Sequence, residues 1–222
     1  MIIALDGPAG AGKSTIARHV ASALGFQLID TGAIYRTVAL RALEANLSLD
    51  DAERCAELAR ELDFSFEIQG DRNVIFCGGE PVGDEIRTSE MSLAASTVSA
   101  HPQVRAALLD QQRKLGAARD SVLEGRDIGT VVFPDADLKI FLTASAEERA
   151  SRRVSQLAEQ GVTEDYEEVL RTIKERDHRD MTRPVAPLVA ARDAVSLDTT
   201  GLEIDAIVAR IVALANERIQ AM

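Results

Sequence analysis

Short apolar runs and longer amphipathic stretches alternate along this chain, and their order predicts most of its elements. Ile2 to Leu5 is a continuous apolar run of strand length. Lys13 to Leu24 predicts a helix, ended by Gly25, a residue suited to closing helices in left-handed backbone. Phe26 to Ile29 predicts a second short strand. Residues 33 to 45 predict a second helix, with Ile34, Val38, Leu40 and Leu43 as apolar positions. Strand, loop, helix, strand, helix implies a parallel sheet covered by helices.

The period then shortens. In Phe64-Ser65-Phe66-Glu67-Ile68 apolar and polar residues alternate. Gly70-Asp71-Arg72-Asn73 is turn chemistry, and Val74 to Cys77 predicts the returning strand, with a third strand near Pro81 and Val82. A hairpin does not belong inside a regular βαβ run, so this is read as a small antiparallel insert. Helices resume from about Ser89 to Gly116, with a break near His101-Pro102. Ser121 to Leu123 and Leu138 to Leu142 suit buried parallel strands. Ser145 is placed to cap a helix whose first turn holds Glu147 and Glu148. Val195 to Leu197 predicts a last strand, and Glu203 to Gln220 a closing helix.

Composition narrows the class. The chain has 222 residues, 46% apolar and 27% charged, as expected of one large globular domain or one with small inserts. No apolar run approaches the roughly 18 residues that span a bilayer. The N-terminus carries no basic stretch ahead of its apolar run, so that run is read as a strand and not as a secretion signal. Cys55 and Cys77 lack metal-like spacing and point to a reducing cytoplasm, with small buried side chains as the plainer reading. The net charge of −11 makes a general nucleic-acid binder unexpected. An anionic ligand must be held by a local cluster of positive charge.

Four stretches can carry chemistry. "GPAGAGKST" at 7 to 15 fits the phosphate-cradling pattern at Gly7, Gly12, Lys13 and Ser14, directly after a strand and before a helix. Glycines there turn backbone N–H groups onto phosphates, lysine adds a point charge, and the serine hydroxyl suits magnesium. "DTGAIYR" at 30 to 36 follows the second strand, on the edge where open parallel sheets bind ligands. Arg36 can reach back to hold a phosphate; the plain alternative is a Thr31 helix cap and a solvated arginine. "EGRD" at 124 to 127 follows another strand, with Glu124 placed to bind magnesium through water, or to be only a loop residue. Finally, Arg176, Arg179 or Asp180, and Arg183 share a helical face before Pro184. Arg149, Arg152 and Arg153 cluster on the preceding helix, the two joined around Gly161-Val162-Thr163. Such helices suit a lid over phosphates; interleaved acids also allow a salt-bridged solvent face.

Together with "DEIRTSE" at 84 to 90, "EGRDIGTVVFPDA" from 124 and "KERDHRDMTRPVAPL" from 174, these stretches give a chain that resembles the bacterial cytidylate kinases over essentially its whole length. The resemblance implies an α/β fold: a P-loop parallel five-stranded sheet core flanked by helices, a small antiparallel β insert in the monophosphate-binding region, and a short helical lid. It implies core at 1–35, 106–148 and 184–222, a monophosphate-binding region at 36–105 with its insert at about 63–87, and a lid at 149–183. The implied reaction, in pyrimidine nucleotide metabolism, is transfer of the γ-phosphate of ATP to CMP or dCMP, with Mg2+.

The family's residues carry over one by one. Gly7, Pro8, Ala9, Gly10, Ala11, Gly12, Lys13, Ser14 and Thr15 match the ATP loop, and Ser14 and Glu124 the metal positions. Thr31, Tyr35 and Arg36 match an acceptor-site motif, Ser96, Arg105 and Asp127 the cytosine-reading positions, and Arg126 and Arg183 phosphate-binding arginines. Arg176 and Asp180 match positions near the ribose hydroxyls, and Lys13, Arg126, Arg153 and Arg183 supply the catalytic charge. Thr31 stands where serine is also common, and Glu124 where aspartate is; both keep the functional group. Cytosine offers an amino donor to Asp127 and acceptors to Arg105, whereas uracil presents a carbonyl to that aspartate. The expected protein is a cytoplasmic monomer acting on ATP and CMP or dCMP, with no nucleic-acid or membrane partner. Two rivals stand beside this reading: a kinase for AMP, UMP or shikimate, and a nucleotide-binding switch that transfers nothing.

Overall fold

The computed structural model describes residues 1–70, 72–159 and 161–221. Asp71 of the expected turn, Gln160 of the expected lid, and Met222 lie outside the described residues. In chain order the strands and α-helices are β1 (Ile2–Asp6), α1 (Lys13–Leu24), β2 (Gln27–Asp30), α2 (Thr31–Glu44), α3 (Ala52–Glu61), β3 (Phe64–Gln69), β4 (Arg72–Cys77), β5 (Glu80–Pro81), α4 (Ser89–Ala100), α5 (Pro102–Ala117), β6 (Ser121–Gly125), β7 (Leu138–Thr143), α6 (Ala146–Glu159), α7 (Tyr166–Thr182), β8 (Val195–Asp198) and α8 (Ile204–Ala221). A 3₁₀ turn covers Asp84–Arg87 and a π-helical turn covers Ile128–Val132. Five strands form one parallel sheet in the order β2-β6-β1-β7-β8, and β3-β4-β5 form a separate antiparallel sheet. The chain divides into two compact units, residues 1–25 with 124–222, and residues 26–123.

In the first unit β1 pairs in parallel with β7, Ile3 beside Leu138 and Asp6 beside Phe141, and β7 pairs in parallel with β8. These strands are nearly continuous apolar runs because helices cover a parallel sheet on both faces. Ile3, Leu5, Ile16, Ile140, Leu142 and Ile211 are among its fully buried side chains. Helix α1 packs against α8, and α6 against α7. Gly12 at φ 82° opens α1, and Gly25 at φ 69° closes it, its N–H turned back onto the Ala21 and Ser22 carbonyls. Ser145 caps α6 as expected, accepting from the Glu148 N–H at 3.1 Å.

In the second unit α2 packs on α4 and α3 on α5. Phe64 and Phe66 of β3 are buried between exposed Ser65 and Glu67, as the alternation predicts, but Ile68 is exposed. Strand β4 begins at Arg72, which pairs with Gln69, so Arg72 and Asn73 belong to the strand and not to the expected turn. His101, held extended by Pro102, separates α4 from α5. Helix α3 is not among the elements that the apolar pattern predicts. Its buried face is Cys55, Ala56 and Ala59, too small to register as an apolar stripe, and its start is fixed by Asp51, which accepts from the Arg54 N–H at 3.1 Å.

Candidate active site

Strand β1 delivers the chain into the glycine loop. At Gly7 φ is +150°, and a Cβ would lie 2.2 Å from the Leu142 carbonyl oxygen, so only glycine fits there. Lys13 opens α1 with its ammonium folded back into the loop, donating to the Pro8 carbonyl at 2.6 Å. Burial and the charge of Arg126 hold that ammonium well below the ordinary lysine value, while Glu124 pulls the other way. An arriving polyphosphate offers the counter-charge this buried lysine needs. Ser14, next on the helix, donates its hydroxyl proton to Glu124 Oε2 at 2.8 Å. Hydroxyl and carboxylate oxygens side by side suit magnesium, which takes few protein ligands and completes its shell with phosphate and water. The predicted pair Ser14 and Glu124 is thus brought together.

The predicted arginines of this unit also meet their acids. Arg126 Nε donates to Asp180 Oδ2 at 3.2 Å, and Arg176 lies 4.0 Å from the same oxygen. Arg183 Nη2 stands 3.7 Å from Asp127 Oδ1, both side chains buried, and its Nε donates to the Ala186 carbonyl at 2.5 Å. The exit of β6 and the end of α7 therefore share one cluster of three arginines and two aspartates, all inside the first unit. Guanidinium groups held this way are pre-aimed for phosphate oxygens.

On α6 Arg153 donates to Gln156 of its own helix at 3.2 Å. Arg149, expected with Arg152 and Arg153 in the lid cluster, reaches the glycine loop. It donates to the Ala9 carbonyl at 3.0 Å and to the Ala144 carbonyl at 3.0 Å, and pairs with both oxygens of Asp177 on α7. Its stem also covers Gly10, where a Cβ would come within 3.2 Å of the Arg149 Cβ. Asp6 was not among the residues the sequence pointed to. It sits at the end of β1, buried, and accepts from the N–H groups of Ile128 and Gly129, each at 2.8 Å. Burial pushes its carboxyl up to about 6, against the pull of those two N–H groups. The only sequence signal was its place: an acid ending an apolar strand, one residue before Gly7.

In the second unit the cap of α2 is Asp30, which accepts from the Ala33 N–H at 2.9 Å; Thr31 is instead a buried residue of the first turn. Arg36 reaches back one turn, as its spacing predicts, and pairs with Asp30 Oδ2 at 2.8 Å. Gly32 leaves the space: a Cβ there would stand 3.0 Å from both Arg36 Nη1 and Asp30 Oδ1. The Arg105 guanidinium of α5 lies over the Tyr35 ring, 5.6 Å from its centre, and donates to the Ser99 carbonyl at 3.4 Å. Ser96 is buried on the neighbouring α4. Two of the predicted acceptor-site residues, Tyr35 and Arg105, are therefore in direct contact.

The sequence model of the cytidylate kinases matches residues 3–217. The chain belongs to the cytidylate kinase family. A cytidylate kinase of Desulfitobacterium hafniense is 49% identical over 218 residues, 98% of this chain and 94% of the relative. One of Shewanella amazonensis is 50% identical over 222 residues, covering 99% of this chain and 96% of the relative. A solved structure of an uncharacterized protein from Eubacterium ventriosum aligns over 97% of this chain and 98% of its own, with a TM-score of 0.52 at 13% identity. That likeness concerns the fold alone. The matched residues include the glycine loop and the small antiparallel sheet.

Proposed function

We propose that this chain is an ATP-dependent nucleoside monophosphate kinase that transfers the γ-phosphate of ATP to CMP or dCMP, giving ADP and CDP or dCDP. The observation that carries this reading is the pairing of a phosphate loop with a separate arginine cluster in the first unit. A nucleotide switch needs only the former. Family membership across the whole chain supports the acceptor.

In the proposed reaction an oxygen of the acceptor phosphate attacks the γ-phosphorus in line, and the bond to the β–γ bridging oxygen breaks. The electron pair leaves with ADP, and no covalent enzyme intermediate forms. The acceptor oxygen is already anionic, so no strong general base is needed. What the protein must supply is alignment and positive charge around the equatorial oxygens. Gly7 to Thr15 hold the triphosphate, with Lys13 at its β and γ groups. Ser14 and Glu124 would hold Mg2+, which neutralises phosphate charge when bound. Arg126, Arg153 and Arg183 complete the catalytic charge, and Arg36 binds the acceptor phosphate. Thr31, Tyr35, Ser96, Arg105 and Asp127 recognise the cytosine end, and Arg176 and Asp180 the ribose. Residues 149–183 act as a lid that excludes water.

The same reading takes the protein to be a monomer and to lie in the cytoplasm; the two buried free thiols support the second of these. Among the described residues no helix is long and apolar enough to cross a membrane.

Incubation with ATP, magnesium and excess CMP, followed by separation of the nucleotides, tests the reading. Equal amounts of ADP and CDP, many per protein molecule, are expected. Nucleotide bound once per chain with no CDP formed would make the protein a switch.

A further inference from the structure

The segment that follows Glu124 carries two residues with proposed roles, Arg126 and Asp127, and then turns sharply. The Asp127 carbonyl accepts from both the Val131 and Val132 N–H groups, at 2.9 and 3.2 Å, which is the signature of the π-helical turn Ile128–Val132. Such turns are rare and need a local cause. Here the cause lies on other strands. Asp6 of β1 takes the Ile128 N–H on Oδ1 and the Gly129 N–H on Oδ2, each at 2.8 Å. From the other side, Lys139 of β7 packs its stem against Gly129, where a Cβ would fall 3.1 Å from Lys139 Cδ and 3.5 Å from the Ala4 Cβ. Lys139 is in turn held by Asp193 at 2.9 Å and by the Pro134 carbonyl. The turn is gripped between β1 and β7, and the grip begins at the residue directly after Asp127.

We propose that Asp6 is a positioning residue for acceptor selection: by fixing the Ile128 and Gly129 backbone, it sets the aim of Asp127 and Arg126. Because Asp6 is also the residue before Gly7, one rigid strand end carries both the phosphate loop and the acceptor-reading segment. The choice of an acid supports this. Burial disfavours a carboxylate, yet here both its oxygens are taken up by backbone N–H groups of the turn. What the carboxylate offers is two oxygens with fixed spacing, each the stronger partner of an N–H group.

The proposal rests on the reading of Asp127 as the cytosine-selecting acid. Its test therefore runs three variants together, Asp6→Asn, Asp6→Glu and Asp127→Ala, reading kcat/KM for CMP and for UMP at saturating ATP. The CMP to UMP ratio does not depend on how much of a variant is folded. Asp127→Ala should collapse the ratio. Asp6→Asn should lower it by about tenfold, as expected for a misaimed group, with the KM for ATP little changed. Asp6→Glu keeps the charge but displaces the turn by one methylene, and should lower the ratio as well; it decides the matter if Asp6→Asn does not fold. A ratio untouched by the Asp6 variants but collapsed by Asp127→Ala would make Asp6 a structural cap only. A ratio untouched by Asp127→Ala would overturn the cytosine reading and the proposal with it.

Discussion

Lys13 and Asp6 show what burial does to single charges in this protein. With its ammonium on the Pro8 carbonyl and the Arg126 charge nearby, Lys13 is held below its ordinary value until phosphate arrives. Binding of ATP should raise the Lys13 value and so be accompanied by uptake of a proton from solvent. Calorimetry in buffers of different ionisation enthalpy would read this uptake, and an identical binding enthalpy in all of them would contradict it. Lys13→Ala should lower kcat by roughly 10²- to 10³-fold, the scale for losing one preorganised charge in a transition state. Steady-state rates at saturating substrates check this.

Asp6 makes the opposite kind of statement. Its carboxyl titrates near 6 in the fold, against 3.8 for an ordinary aspartate. Between those values the native state holds the proton more tightly than the unfolded chain. Stability therefore falls as pH rises through the window, by on the order of 3 kcal/mol for this group, and the loss is complete above about 6. Asp6→Asn cannot titrate. Lowering the pH from about 6.5 to 4.5 should raise the melting temperature of the wild type relative to that of the variant. A difference that stays constant with pH would remove the assignment.

At the scale of elements, the apolar pattern told most where the buried side chains are large. Strands β1, β6 and β7 and helices α1, α2 and α5 lie within a few residues of their expected places, because Ile, Leu and Val mark their buried faces. Helix α3 escaped because alanine and cysteine cover its buried side. The π-helical turn escaped because its determinant, Asp6, stands 122 residues away in the chain. The site divides the same way. Glycines and charges at strand exits were legible one by one, whereas the roles of Arg149 and Asp6 depend on partners that only folding brings near. Two elements make direct tests. Asp51→Ala should cost about 1 kcal/mol of stability by uncapping α3, with turnover unchanged. Gly7→Ala should cost more than about 3 kcal/mol or abolish ATP binding, since its Cβ would collide with the Leu142 backbone at a φ that side chains avoid. Denaturant melts and ATP titration of each variant check both.

At the scale of the molecule, a chain of net charge −11 must bind polyanions through local clusters. Positive charge gathers at Lys13 in the loop, at Arg126, Arg176 and Arg183 beside Asp127 and Asp180 in the first unit, and at Arg36 and Arg105 in the second. Each guanidinium except that of Arg105, which lies over an aromatic ring, is held by a carboxylate within 4.0 Å, so the sites are organised before any ligand arrives. The acceptor proposed for this chain is a cytosine nucleotide. The most direct measurement is ADP release from ATP and magnesium with CMP, dCMP, UMP, AMP, GMP and shikimate offered separately, beside a control without acceptor. Strong turnover with CMP and dCMP, weak turnover with UMP and background rates elsewhere are predicted. Turnover led by any other acceptor would rule out cytosine as the recognised base, and folded protein with no acceptor-dependent turnover would be no kinase.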